Sequence, residues 1–385
     1  MNDRTHWLGF SVFPGIGPRK FDQLLSEFGF AKAAWKAKQT DLASVLGLKL
    51  SQEFIRFRNT FSFSDYEKKL TLAKVSFIIL TDSSYPSLLK QADKPPFVLY
   101  IKGPLSHGAL VANDPSKPDV SSPRQELSPA ASSAPTIAIV GTRKITQYGR
   151  EVTELFTREL VDAGFTIVSG LAMGVDAVAH QTTIDNKGTT IAVLGCGVDC
   201  CLPLENEHIY NSILDSGGCI VSELPLGHPP TIGSFPARNR IIAGMSQAVL
   251  VTEGAEDSGA LITADCAFKY NRKVFAVPGP ITSQLSKGPY KLIAKGARLV
   301  TSGQDIIKEL GIRNKELGKV RKNIRGETKE ETVILDLLAN ESLHFDEIVR
   351  RCGFTSSKTG VLLSLLEMKG QIKNINATYS LKAAQ

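Results

Sequence analysis

Between residues 136 and about 310, short β-branched runs alternate with amphipathic stretches of helical length. Such alternation predicts strands joined by helical crossovers, hence a doubly wound, Rossmann-like α/β domain built on a parallel sheet. The strands fall at 136–140, 165–168, 189–194, 218–222, 247–251, 273–277 and 298–300. They are almost continuously apolar, which suits strands covered by helices on both faces. Two further runs, KVSFIIL at 74–80 and FVLYI at 97–101, read as strands that extend the same sheet, so the domain is expected over 70–310. Before it, 1–66 reads as a small helical domain punctuated by Gly-Ile-Gly at 15–17 and Gly-Leu at 47–48. At the other end, helical stretches near 328–340, 344–351 and 357–369 precede a segment at 370–381 that alternates like a hairpin. Three helices and a hairpin predict a winged-helix domain over 327–385.

Two stretches interrupt the pattern. Residues 104–135 hold six Pro and seven Ser among 32 residues and no aromatic, too little to build a core, and are expected to be a disordered insertion. Residues 311–325 carry six basic side chains against the single acid Glu316, which predicts a basic linker over 311–326. The total of 385 residues fits two or three domains. No apolar run approaches the roughly 18 residues that cross a bilayer, and no apolar signal region follows the first residues, so the chain reads as cytoplasmic with no membrane partner. Six cysteines without a C-x-x-C pair read as reduced thiols. An excess of 45 Lys+Arg over 38 Asp+Glu, a formal charge of +7, suits a polyanionic partner.

Candidate chemistry sits where strands end. The first strand of the Gly-rich region runs into Gly141-Thr142-Arg143-Lys144 and then a helix, a turn that offers backbone amides, a hydroxyl and a guanidinium fork to a phosphate. The next strand ends in Ser169-Gly170, followed by Gly174 and by Asp176 and His180 four residues apart. That pair reads either as an acid/base couple or as hydrogen bonding that orders the loop. A third Gly-rich turn lies at 195–197. The polar run Arg238-Asn239-Arg240 opens a helix, where the dipole opposes positive charge, so it reads as an anion site or as a salt-bridge network.

Absences narrow the class. There is no G-x-x-x-x-G-K-[ST], no G-x-G-x-x-G after the first strand, no H-E-x-x-H or Cys/His cluster for a metal and no G-x-S-x-G. Neither a catalytic centre, a metal nor a cofactor is expected.

The ordered series VGTR, IVSGLAMGVDAVAH, GTTIAVLGCGVD, SELPLG, FPARNRIIAG, VLVTEG, SGALITA, VFAVPG and GARLVTSGQDII resembles the DprA/Smf family of DNA-processing proteins over about 80–310. The resemblance implies a single-stranded DNA-binding protein that loads RecA recombinase onto incoming DNA in natural transformation and works as a homodimer through its Rossmann-like domain. It also implies a helical N-terminal domain of helix-hairpin-helix or SAM-like type and a C-terminal winged-helix domain. Carried across by position, the DNA contacts implied are Gly141, Thr142, Arg143, Lys144, Ser169, Gly170, Asn206, Arg238, Asn239 and Arg240. Leu202-Pro203-Leu204 stands where the family has an aromatic and a basic residue, and Gly288-Pro289-Tyr290 replaces another family turn, which makes Lys287 and Lys291 substitute contacts. Phe13-Pro14-Gly15-Ile16-Gly17-Pro18 looks like a helix-hairpin-helix turn, whose Gly15 and Gly17 would expose amides either to a DNA backbone or only to the turn itself. The competing class is a Rossmann-like nucleotide phosphoribohydrolase acting on nucleoside monophosphates.

Overall fold

The computed structural model describes residues 3–105, 134–312, 328–338, 343–375 and 378–381. The Pro/Ser-rich insertion expected at 104–135, apart from two residues at each end, and the basic linker expected at 311–326, apart from 311 and 312, lie outside the described residues. Two compact units result, 1–312 and 313–385.

In the first unit the described strands are β1 (Val75–Ile79), β2 (Val98–Lys102), β3 (Thr136–Val140), β4 (Thr166–Ser169), β5 (Thr190–Val193), β6 (Cys219–Ser222), β7 (Ala248–Val251), β8 (Lys273–Ala276) and β9 (Arg298–Leu299). They form one sheet in the order β1-β2-β6-β5-β4-β3-β7-β8-β9. From β6 to β9 all neighbours are parallel, as the crossover pattern predicts. The expectation of a wholly parallel sheet fails at one margin. β1 pairs antiparallel with β2, and β2 pairs antiparallel with β6 (Tyr100 opposite Ser222), so the sheet is mixed. The segment between β1 and β2 holds only the single-turn helix Ser87–Lys90, and the chain comes back beside itself instead of crossing over.

The strand order reverses at β3. From there the chain builds outward through β4, β5 and β6, then returns to lay β7 on the other side of β3. Ligands of open α/β sheets bind at such a reversal, beyond the carboxyl ends of the strands.

Six helices, Asp3–Val12, Pro18–Phe28, Ala31–Lys36, Gln39–Leu46, Leu48–Thr60 and Phe63–Leu72, precede β1. The reading that separates 1–66 from the sheet meets a shared core here. Trp7, Phe10, Phe21, Trp35 and Phe54 belong to the same buried cluster as Val98, Tyr100, Ala192 and Ile220 of the sheet. The Phe21 and Phe97 rings stack at 4.1 Å, and the Ser11 and Tyr100 hydroxyls lie 2.6 Å apart. Alternation along β2 explains the arrangement, because Val98 and Tyr100 face these helices while Leu99 and Ile101 join the cluster on the opposite face.

In the second unit the helices Lys329–Leu338, Phe345–Cys352 and Ser356–Met368 pack around Ile334, Leu335, Ile348, Leu363 and Leu366. Strands β10 (Leu343–His344), β11 (Ile372–Ile375) and β12 (Thr378–Leu381) form a small antiparallel sheet in the order β10-β12-β11. The hairpin expected at 370–381 is β11–β12, and β10 is an added strand too short for its pattern to show. Among the described residues no helix is long and apolar enough to cross a membrane.

Candidate functional site

The turn after β3 is drawn close to the turn after β7. A Cβ on Gly141 would stand 2.5 Å from Val175 and 2.6 Å from the Glu253 carbonyl, so glycine alone permits the approach. The Thr142 amide donates to that carbonyl at 2.7 Å, and the buried Thr142 hydroxyl accepts from the Lys144 amide at 3.1 Å. Fixed at both points, the turn directs Arg143 and Lys144 outward, and both are exposed. Arg143 places its guanidinium over the Phe235 ring, 5.5 Å from the centroid. Among the described residues it has no hydrogen bond or ion pair, and in particular none with Asp176.

One element of the expected phosphate turn is already taken. The amide and hydroxyl of Thr146, at the start of the helix Gln147–Asp162, donate to the buried Glu253 carboxylate at 3.0 and 2.7 Å. A protein carboxylate therefore occupies the positive end of this helix, and the anion-attracting groups of the turn are its side chains.

Ser169 is buried and its hydroxyl donates to the Ile139 carbonyl at 2.7 Å. The Gly170 peptide is gripped on both sides: its amide donates to the Asp176 carboxylate at 3.1 Å, and its carbonyl accepts from Arg238. Asp176 also accepts from the Ala172 amide at 3.4 Å. Burial pushes the Asp176 carboxyl above its usual range, against the nearby Arg238 charge and the amides that hold it down. His180 does not touch this carboxylate; its Nδ1 pairs with the Thr190 hydroxyl at 2.7 Å. Since that hydroxyl gives its one proton to the Ile167 carbonyl, Nδ1 must be the donor and Nε2 carries the lone pair. Of the two readings of Asp176 and His180, that of hydrogen bonding which orders the loop fits Asp176, while His180 ties its helix to the start of β5.

Arg238, Asn239 and Arg240 of the helix Ser234–Gly244 point three ways. Arg238 is buried, donating to the carbonyls of Gly170 and Val193 and to the Asn239 side chain. Asn239 reaches the Gly259 carbonyl at 3.1 Å, at the start of the helix Gly259–Lys269. Arg240 pairs with Glu223 and donates to the Lys94 carbonyl at 2.8 Å, turned away from the crevice. Burial raises the Glu223 carboxyl and the Arg240 charge opposes the rise. Asn206 is buried too, its amide donating to the Leu171 carbonyl at 2.9 Å. The expected set of contacts thus divides into exposed cations at one turn and buried or half-buried side chains engaged with backbone or carboxylate.

Two adjoining cavities flank the Arg143–Phe235 pair. The larger, about 770 Å³, is lined by Arg143, Lys144, Phe235, Asp257 and Ser258, with the 95% exposed Ile232 at its rim. The smaller, about 270 Å³, lies toward Met173, Gly195, Cys196 and Leu202. Burial holds the Cys196 thiol up at about 12, which keeps it protonated. Lys287 and Lys291 lie on the exposed face of the helix Lys287–Ala294 and line neither cavity; Lys291 pairs with Glu256 at 3.4 Å. In the N-terminal helices, Gly15 (φ +98°) and Gly17 form an exposed turn. A Cβ on Gly15 would lie 3.0 Å from Leu50, just past Gly47, so the two glycine turns are neighbours. Phe235, Asp257 and Glu253 were not singled out from the sequence. An aromatic heading the Pro-Ala-Arg-Asn-Arg run and an acid two residues past an apolar strand were the available signals.

The site is thus the switch point of an open α/β sheet, with exposed cations and an aromatic ring between two cavities, an arrangement chemically suited to an anionic ligand with flat, apolar parts. The family described as DNA recombination-mediator protein A matches residues 128–311, and the DprA winged helix domain matches residues 321–375. Protein Smf of Escherichia coli is 34% identical over 362 residues, 90% of this chain and 89% of that one. Protein Smf of Synechocystis is 37% identical over 312 residues, 80% of this chain and 73% of its own length. The X-ray structure of DNA processing protein A from Streptococcus pneumoniae superposes with a TM-score of 0.63 and 31% identity, covering 79% of this chain and 95% of that one. A structure of DNA processing protein A from Helicobacter pylori, concerned with its single-stranded DNA binding mode, covers 62% of this chain and 95% of that one, at 28% identity and a TM-score of 0.50. The chain belongs to the DprA/Smf family of DNA-processing proteins.

Proposed function

We propose that the chain binds single-stranded DNA in the crevice above the carboxyl ends of β3, β4 and β7 and hands it to a RecA-type recombinase, acting in the cytoplasm as a homodimer through its sheet unit. The carrying observation is Arg143, exposed, without an ion pair among the described residues and laid over Phe235 between the two cavities. Single strands are held by cationic grooves that follow phosphates and aromatic rings that stack on bases, and this pair offers one of each. The binding mode described for the Helicobacter pylori relative points to the same ligand. Arg143 and Lys144 form the phosphate subsite in this reading, on the turn that Gly141 and Thr142 hold in place. Lys287, Lys291 and the turn of Gly15 and Gly17 are outlying contacts. The first unit is a Rossmann-like fold carrying a helix-hairpin-helix or SAM-like helical part, and the second is a winged helix.

Titration of oligo-dT against the chain at several salt concentrations tests the reading. Each phosphate contact released should add about 0.7 to the log-log slope for a single strand. Affinity indifferent to salt would overturn it. Release of a free base from purine monophosphates would instead favour the phosphoribohydrolase class.

A further inference from the structure

Arg238 sits beneath the crevice and lines both cavities, which makes it the natural second phosphate ligand beside Arg143. Its surroundings give its guanidinium other work. The side chain is 5% exposed; Nη1 donates to the carbonyls of Gly170 and Val193, and Nε donates to Asn239 at 3.1 Å. Those two carbonyls lie at the carboxyl ends of the adjacent strands β4 and β5, where sheet pairing runs out and acceptors are left over. On the far side of the Gly170 peptide, the Asp176 carboxylate holds the amide. A Cβ at Gly170 would stand 2.4 Å from the centre of the guanidinium, so the turn is shaped to admit this group.

We propose that Arg238 is a positioning residue: with Asp176 it locks the turns after β4 and β5 so that the Arg143–Phe235 pair keeps its place between the cavities, and it does not itself bind phosphate. The proposal rests on the crevice being the single-stranded DNA site. It departs from the family-based expectation, which counts Arg238 among the DNA contacts. Burial lowers the proton affinity of Arg238, with Asp176 opposing the fall and the Arg143 charge adding to it, and of the two guanidinium groups only that of Arg143 is exposed.

A contact and a strut differ in how affinity depends on salt. Removing a phosphate contact lowers both the affinity and the log-log slope, by about 0.7 for a single strand. Removing a strut lowers affinity while the number of ions released stays the same. Oligo-dT titrations at four or more salt concentrations are therefore run on the full chain, on Arg143→Met and on Arg238→Met. The expected result is a reduced slope for Arg143→Met, and for Arg238→Met an affinity lowered by about tenfold, as for one misplaced charge-assisted contact, with the slope of the parent chain.

Since Arg238→Met leaves Asp176 buried without its partner, the double variant Asp176→Asn, Arg238→Met is measured alongside; its amide oxygen still accepts from Gly170 and no charge is stranded. Arg238→Lys keeps the charge and loses the fork, and is expected to bind as weakly as Arg238→Met. A slope reduced by about 0.7 in the Arg238 variants, or affinity restored by lysine, would make Arg238 a contact and overturn the proposal. Unchanged affinity overturns it as well, and a double variant that cannot fold assigns Arg238 to the core alone. Failure of the parent chain to bind oligo-dT is a separate outcome and counts against the DNA reading itself.

Discussion

The turn after β3 and the helix Ser234–Gly244 both present arginines to one crevice, yet they use them in opposite ways. Arg143 is exposed and rests on an aromatic ring, without an ion pair among the described residues. Arg238 and Arg240 are engaged by backbone carbonyls and by Glu223. In the proposed reading the same side chain would serve as a ligand hook where its fork is empty and as a brace where carbonyl oxygens fill it. Which of the two applies depends on orphan acceptors at strand ends, which belong to the fold and not to the local sequence.

The largest effect expected is on the braced side. Arg240→Met strands the Glu223 carboxylate at a site where both partners are less than a fifth exposed. Stability should fall by about 3 kcal/mol, the low end for a broken buried pair because some solvent reaches it. Urea unfolding measures this, and oligo-dT affinity per folded molecule should not change; a loss of affinity would erase the contrast with Arg143.

On the open side, Arg143→Ala should weaken oligo-dT binding roughly tenfold to a hundredfold, about 1.5 to 3 kcal/mol, and leave the melting temperature within a degree or so. Arg143→Lys should fall between the two, since it restores charge but not the planar fork. A lowered melting temperature with normal binding would make Arg143 another brace.

A third test uses acid. Burial, with Arg238 nearby, pushes His180 down to about 3, so the folded chain keeps the ring neutral where the unfolded chain, near 6.5, takes up a proton. Stability should therefore be complete above about pH 6.5 and decline as pH falls toward 3, by about 2 kcal/mol at pH 5. Protonation would set a new N–H on Nε2, which has no partner among the described residues. His180→Gln should flatten this part of the profile; an unaltered profile would place the sensitivity elsewhere.

The smallest effect concerns Asp257, an exposed acid on the cavity wall facing the cations. Asp257→Asn should tighten oligo-dT binding by roughly twofold to threefold, the scale of a screened surface charge, and the gain should vanish at high salt. Weaker binding would mean that the carboxylate accepts from a base.

The sequence made strand positions from β3 to β8 legible because a strand buried on both faces must be apolar at nearly every residue. Direction was another matter. Val75–Ile79 and Val98–Lys102 look like their parallel neighbours in composition, and nothing in their own residues marks the antiparallel pairing; the connection between them differs from the crossovers in holding a single-turn helix. At the site, Gly141, Thr142 and Arg143 could be read from a strand followed by a turn. The engagement of Ser169, Asn206 and Arg238 could not, since their partners Ile139, Leu171 and Val193 come from other parts of the chain. Glu253 shows the same limit: 107 residues separate it from the Thr146 amide it caps.

The aromatic cluster of the first helices has a consequence for synthesis on the ribosome. Residues 3–72 are made before the sheet, but the buried cluster they belong to also contains Leu194 and Ile220. At about 5 to 20 residues per second, that surface is made roughly six to thirty seconds after Leu70. Throughout that interval the part of the cluster that Leu194 and Ile220 complete is expected to stand uncovered on a nascent chain, a natural target for a chaperone that recognises apolar surface. Fragments that end before β6 should need such help or precipitate.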